Sequence, residues 1–273
     1  MEKQKHIRYF FRALLATIAV LVFSEAVLAE DQVKTTASFY FVQITDTHWD
    51  DGDNFERTRK AVEQINSLPM PIKCVIHTGD ITYEKIEDES VVMKGLAILR
   101  ELKVPIHFVP GNHDILRSRY TITRDAYIKS FGSLVTEVEY DGVVFIMIYT
   151  EPLAESFSLD AYAPISELEA GLKRANEKPA IVFQHAPAVN SFFNNTMRVG
   201  WKKEIREKWE SVLNAYNVKA VITGHFHRDE HHWHGKVPLY VSAPISGAWG
   251  RQASFRLYEY KDGKVGYRTL YIK

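Results

Sequence analysis

The chain carries one cysteine, Cys74, in 273 residues. A single thiol excludes an intrachain disulfide framework and any zinc site built from cysteines. Neither charge is in excess, with 34 Lys and Arg against 34 Asp and Glu. The basic surplus by which proteins grip duplex nucleic acid is therefore missing. The apolar run near the N-terminus, 13–23, has 11 residues, well short of the ~20 that span a bilayer. With 46% hydrophobic and 25% charged residues, the composition is that of a globular protein and excludes disorder as the main reading. What stands out is the presence of eleven histidines.

Residues 1–29 have the pattern of a secretory signal peptide. Lys3, Lys5, Arg8 and Arg12 precede the apolar run, and Val27-Leu28-Ala29 places small residues before a cut between Ala29 and Glu30. No cysteine near that point supports a lipid anchor. The expectation is export to a periplasm or beyond the cell, with no membrane span after cleavage; the alternative is an uncleaved anchor. Removal takes away four Lys and Arg and two Asp and Glu, leaving 30 against 32 and a net charge of −2. Cys74, inside a strand-like stretch, reads as a small buried hydrophobe.

Short runs rich in Val, Ile and Phe predict strands over 39–44, 74–77, 106–109, 143–149, 180–183 and 220–222. Continuous apolar runs suit strands covered on both faces. Helical spacing joins Thr58, Ala61, Val62 and Ile65, then Val92, Leu96 and Leu99, and later Trp209, Val212, Leu213 and Tyr216. Pro164 opens a further helix, with Ser166 and Glu169 in capping-box register. After Gly235 the texture becomes short strands, 239–241, 255–260 and 265–271. With no internal repeat and no dividing linker, the reading is one α/β domain over 37–273.

The predicted strands run into a set of polar residues. They deliver Asp46 and His48, then Asp80, then Asn112, His113 and Asp114, then His185, and last His225 and His227. In open α/β sheets the C-terminal edge of the strands is where ligands bind. Oxygen and imidazole donors without thiolate suit Zn, Mn, Fe or Co. Asp46, His48, Asp80, Asn112, His185, His225 and His227 exceed what one ion needs. If one carboxylate bridges, seven side chains give eight bonds, four for each of two ions.

The order Asp-x-His, Gly-Asp, Gly-Asn-His-Asp, His, Gly-His-x-His resembles the calcineurin-like metallophosphoesterase superfamily over about 39–227. The resemblance implies a four-layer α/β/β/α sandwich and two divalent or trivalent transition-metal ions. It implies that Asp46, His48 and His227 bind the first ion, that Asp80 bridges, and that Asn112, His185 and His225 bind the second. His113 would be the catalytic acid for the leaving group or a hydrogen-bond donor to the phosphoryl oxygen, oriented by Asp114, with a metal-bridging hydroxide as the nucleophile. The implied substrate is a small-molecule phosphate ester.

Within that superfamily, Gly79-Asp80-Ile81-Thr82-Tyr83 lacks the Asp-Arg-Gly that extends the second block in Ser/Thr protein phosphatases, so that branch is not expected. Tyr83 stands where purple acid phosphatases have an iron-binding tyrosine, but those enzymes lack a histidine at the position of His48, so Tyr83 reads as a pocket or packing residue. The blocks are similar in form to the branch of cyclic-nucleotide and glycerophosphodiester phosphodiesterases, which favours diesters over monoesters. Residues 49–53, Arg117, Arg119 and the loop 191–201 are candidates to shape the pocket. A separate cluster, His231, His232 and His234, reads as a strand entering a turn, with a second metal site as its alternative. A non-enzymatic scaffold would be expected to lack ligands or His113, and a nuclease to carry a basic stretch; this sequence does neither.

Overall fold

A computed structural model describes residues 38–159, 162–192, 198–247 and 250–273, with the side chains of 191–199 left aside. The signal-peptide reading and residues 193–197 of the 191–201 loop thus fall outside the described residues. Along the chain run β1 (Ser38–Ile44), α1 (Asn54–Asn66), β2 (Ile72–His77), α2 (Glu89–Leu99), β3 (Ile106–Phe108), α3 (Tyr120–Phe131), β4 (Val135–Tyr140) and β5 (Val143–Ile148). They continue with α4 (Glu151–Ala154), α5 (Pro164–Ala175), β6 (Ala180–Phe183), β7 (Ser191–Phe192), β8 (Arg198–Val199), α6 (Lys203–Ala215), β9 (Val218–Thr223), β10 (Glu230–His234), β11 (Val237–Val241), β12 (Ser254–Lys261) and β13 (Lys264–Tyr271).

Two large sheets form, ordered β13-β12-β1-β2-β3 and β10-β11-β9-β6-β5-β4. Strands β1, β2 and β3 are parallel, as are β5, β6, β9 and β11. The sheets face each other across Phe39, Phe41, Ile76, Phe145, Phe183, Ile222 and Tyr258. Phe41 is the seam of that layer. It stacks on Tyr258 of β12 at 5.0 Å and meets Phe145 of the opposite sheet edge-on at 5.0 Å. Truncating it to alanine would cost about 3–5 kcal/mol. Cys74 lies in the same layer, fully buried, and burial pushes its thiol up to about 12.

The outer face of the first sheet packs on α1, α2 and α3, and that of the second on α5 and α6. These are the four layers expected, α/β/β/α. The wholly buried apolar run of β5 is what a parallel strand covered on both faces requires. Helix α3 has no counterpart in the periodicity reading, because only Thr123 and Tyr127 of it are buried. The capping box at Ser166 does not form: Ala163 precedes the helix, Pro164 opens it, and Glu169 pairs instead with Lys173 at 2.8 Å. Trp49 is a core residue, not a pocket one. It is fully buried, and its indole lies so close to Gly95 of α2 that a Cβ there would collide with the ring.

Candidate metal centre

The C-terminal ends of β1, β2, β3, β6 and β9 lie on one edge of the two facing sheets, and the loops leaving them bring the expected residues together. Asp46, His48, Asp80 and His227 form one group of converging ligand atoms; Asp80, His185 and His225 form a second. Asp80 belongs to both. Its Oδ2 lies 3.8 Å from Nε2 of His48 and 3.1 Å from Nε2 of His185, while its Oδ1 accepts the amide of His113 at 2.8 Å. One oxygen fixes the carboxylate and the other faces both groups.

Asp46 is divided in the same way. Its Oδ2 accepts the Thr45 hydroxyl at 2.6 Å and the His225 amide at 3.1 Å, tying the first ligand loop to the last. Its Oδ1 is buried without a hydrogen bond and lies 3.0 Å from Nε2 of His227. Five of the seven candidates, Asp46, His48, Asp80, His225 and His227, have φ between 43° and 70°. Non-glycine residues in the left-handed region cost about 1 kcal/mol or more each and gather at functional sites. Two motif glycines are there for space. A Cβ on Gly111 would strike the carboxylate of Asp80, and one on Gly224 would strike Thr45 and come within 2.5 Å of Asp46 Oδ2.

Hydrogen bonds set the imidazole tautomers. Nδ1 of His185 faces the carbonyl of Thr78 at 2.8 Å. A carbonyl only accepts, so Nδ1 carries a proton and Nε2 faces Asp80. His77 takes the amide of Gly79 on Nδ1 and so donates Nε2–H to Thr47 at 2.9 Å. It braces two ligand loops as a neutral ring, and burial lowers its pKa to about 3. Burial also lowers His48 toward the neutral form that binds metals. For Asp46 and Asp80 burial opposes the charge, but His227 beside the first and His185 beside the second outweigh it and hold both carboxyls low. His185 is raised in return against its own burial.

These residues fit transition-metal ions. Oδ1 of Asp46 and Oδ1 of Asn112 are buried acceptors with no hydrogen bond. Nε2 of His48 and of His227 approach to 3.1 Å, and Nδ1 of His225 and Nε2 of His185 to 3.2 Å. Imidazole pairs turned on one another beside carboxylates make a donor set for a cation of the Zn, Mn, Fe or Co kind.

His113 sits at the rim, its side chain 20% exposed. Its ring stacks on Tyr83 at 5.0 Å and meets His48 edge-on at 5.2 Å. Tyr83, half exposed, packs its ring on that of His113. The expectation that Asp114 orients His113 is corrected. The carboxylate of Asp114 accepts the amides of Ile81, Thr82 and Gly111, so it clamps the loop bearing Asp80 to the loop bearing Asn112. Burial and the charge of Asp80 push it up to about 7 against the pull of those amides. The carboxylate near the His113 ring is Glu84, 3.5 Å from Nδ1.

Of the two arginines, Arg119 is paired with Glu87 at 2.7 Å, while Arg117 lines a cavity with Asn112 and His225. The His231, His232 and His234 stretch lies in β10 as expected. Glu230 holds His232 at 2.5 Å, His231 packs on Tyr240, and His234 is buried. Among the described residues no converging group of three ligands forms there.

Residues 39–229 match the family model described as calcineurin-like phosphoesterase. The chain belongs to that family. A mouse (Mus musculus) family relative named Serine/threonine-protein phosphatase CPPED1 is 26% identical over 264 residues, 83% of this chain and 81% of its own. A probable cyclic nucleotide phosphodiesterase of Colwellia psychrerythraea is 22% identical over 202 residues, 69% and 71% of the two chains. The crystal structure of a dimetal phosphatase from Danio rerio shares the fold, with a TM-score of 0.62 at 16% identity, covering 86% of this chain and 99% of that one.

Several residues of this calcineurin-like phosphoesterase centre carry no motif. Asn54 donates to the carbonyl of His48 at 2.9 Å. Gln43 donates to Thr78 and to the carbonyl of Thr223, both at 2.8 Å, and accepts from Tyr258. It fastens three strands of the two sheets just below the ligand loops. Glu151 is buried on the same edge, at the end of β5, and burial raises it to about 8. The signal for Glu151 was its place after a predicted strand; for Gln43 and Asn54 the sequence held none.

Proposed function

We propose that the chain is an exported hydrolase of small phosphodiesters that works with two transition-metal ions. The observation that carries this is Asp80, one buried carboxylate whose Oδ2 faces two separate groups of ligand atoms. Asp46, His48 and His227 would hold one ion with it, and Asn112, His185 and His225 the other. When bound, such ions neutralise charge on the phosphoryl oxygens and lower the pKa of water.

The rest is done by the chain. Asp46, Asp80 and Asp114, held by backbone amides, fix the ligand loops before substrate arrives. His113 lies beside His48 at the open rim, where its imidazole can give a proton to the departing alkoxide. Filled ligand positions together with His113 argue against a scaffold. Diesters are favoured by the Asp-x-His form of the first block and by the likeness to a probable cyclic nucleotide phosphodiesterase. The likeness to a named phosphatase supports monoesters as the second reading.

The test is turnover of bis-p-nitrophenyl phosphate beside p-nitrophenyl phosphate by protein reloaded with Mn, Zn, Fe or Co. Diester turnover exceeding monoester turnover is expected; the reverse moves the chain to the phosphatases. Export is tested separately: the protein recovered outside the cytoplasm should begin at Glu30.

A further inference from the structure

Strand β5 lies beside β6 and parallel to it, so its C-terminal end opens on the same edge as the ligand loops. It delivers Glu151, which neither ligand group includes. Glu151 is only 2% exposed, and among the described residues its carboxyl accepts one hydrogen bond, from the amide of Ala186 at 3.3 Å. Burial raises this carboxyl to about 8, and an ammonium group placed beside it would favour its charged form.

Glu151 lines a cavity of about 400 Å³ together with Asn112 and His225, both candidates for the second ion, and with Arg117, Glu155 and Trp201. The indole Nε1 of Trp201 is likewise buried without a hydrogen bond. A cavity walled by two ligands of the second ion is placed to receive what is attached to a phosphoryl group bound there. Arg117, five residues after Asn112, suits the anionic end. The carboxyl of Glu151 suits a cation.

We infer that this cavity takes the alcohol portion of the substrate and that Glu151 selects an alcohol carrying an ammonium group, so that amino-alcohol phosphoesters are the preferred class. This rests on the reading that the phosphoryl group binds at the metal centre.

The test is calorimetric binding of 2-aminoethylphosphonate and of n-propylphosphonate to the Mn-loaded full chain. The two differ by an ammonium in place of a methyl group. The amino compound is expected to bind at least tenfold tighter, about 1.4 kcal/mol, and Glu151→Gln should bring the ratio near one. Glu151→Asp should keep a reduced preference. Equal binding of the two phosphonates by the wild type overturns the inference, even if p-nitrophenyl esters are turned over and the hydrolase reading stands. A tenfold preference without turnover of any ester supports the cavity assignment and counts against the hydrolase. If Glu151→Gln loses its metal while Glu151→Asp keeps both metal and the full preference, Glu151 merely supports the loop of His185 and the assignment is wrong.

Discussion

Replacing Asp80 with asparagine changes charge and almost nothing else in shape. The side chain is buried, its Oδ1 accepts the His113 amide at 2.8 Å, and its Oδ2 faces His48 and His185. The variant can keep the amide contact while presenting a neutral group to both ligand sets. Removing one partner of a buried charge pair costs about 3–5 kcal/mol, which is roughly two to four orders of magnitude in affinity. Because one oxygen faces both sets, that loss should fall on both ions. The assay is metal content per chain after equilibration with micromolar Mn, by mass spectrometry. Wild type should hold two ions and Asp80→Asn close to none. Asp46→Asn should lose one, since Asp46 belongs to a single group. An Asp80→Asn protein that keeps one ion at wild-type affinity would refute the sharing.

Other outcomes follow from the same geometry. His113→Ala should keep its metal and lose about 10²–10⁴ in turnover, most for esters with poor leaving groups; metal loss as complete as in Asp80→Asn would show that His113 is a ligand. Asp114→Ala strands the amides of Ile81, Thr82 and Gly111, so thermal unfolding should report a loss of about 3 kcal/mol or more; an unchanged melting temperature would contradict the clamp. His77 is neutral when folded, its pKa lowered from 6.5 to about 3. The unfolded state therefore binds the extra proton between those values, and the contribution of His77 is complete above pH 6.5 and lost as pH falls toward 3. The whole amounts to about 5 kcal/mol. Denaturation curves for His77→Gln should be flatter over that window, and an equally steep acid loss would show that other groups carry it.

The parallel core was legible because β5 and β6 are apolar on both faces, and the ligand set because each motif follows a strand. Asp114 was misread because adjacency in sequence suggested adjacency of side chains. The turn instead points its carboxylate at three backbone amides, which no residue pattern encodes. Trp49 stands in a loop next to His48 yet fills the space left by Gly95 forty-six positions later, a pairing only the packing of α1 and α2 reveals. Glu151 lacked a motif, and the amide of Gln43 counts for the site only once three strands are brought together at it.

The central claim is that two ions act together at Asp80. Titrating metal-stripped protein with Mn while following turnover of bis-p-nitrophenyl phosphate tests it most directly. Turnover should stay low through the first equivalent, rise with the second and level off at two ions per chain. Full turnover at one equivalent, or none with two ions bound, would contradict the account.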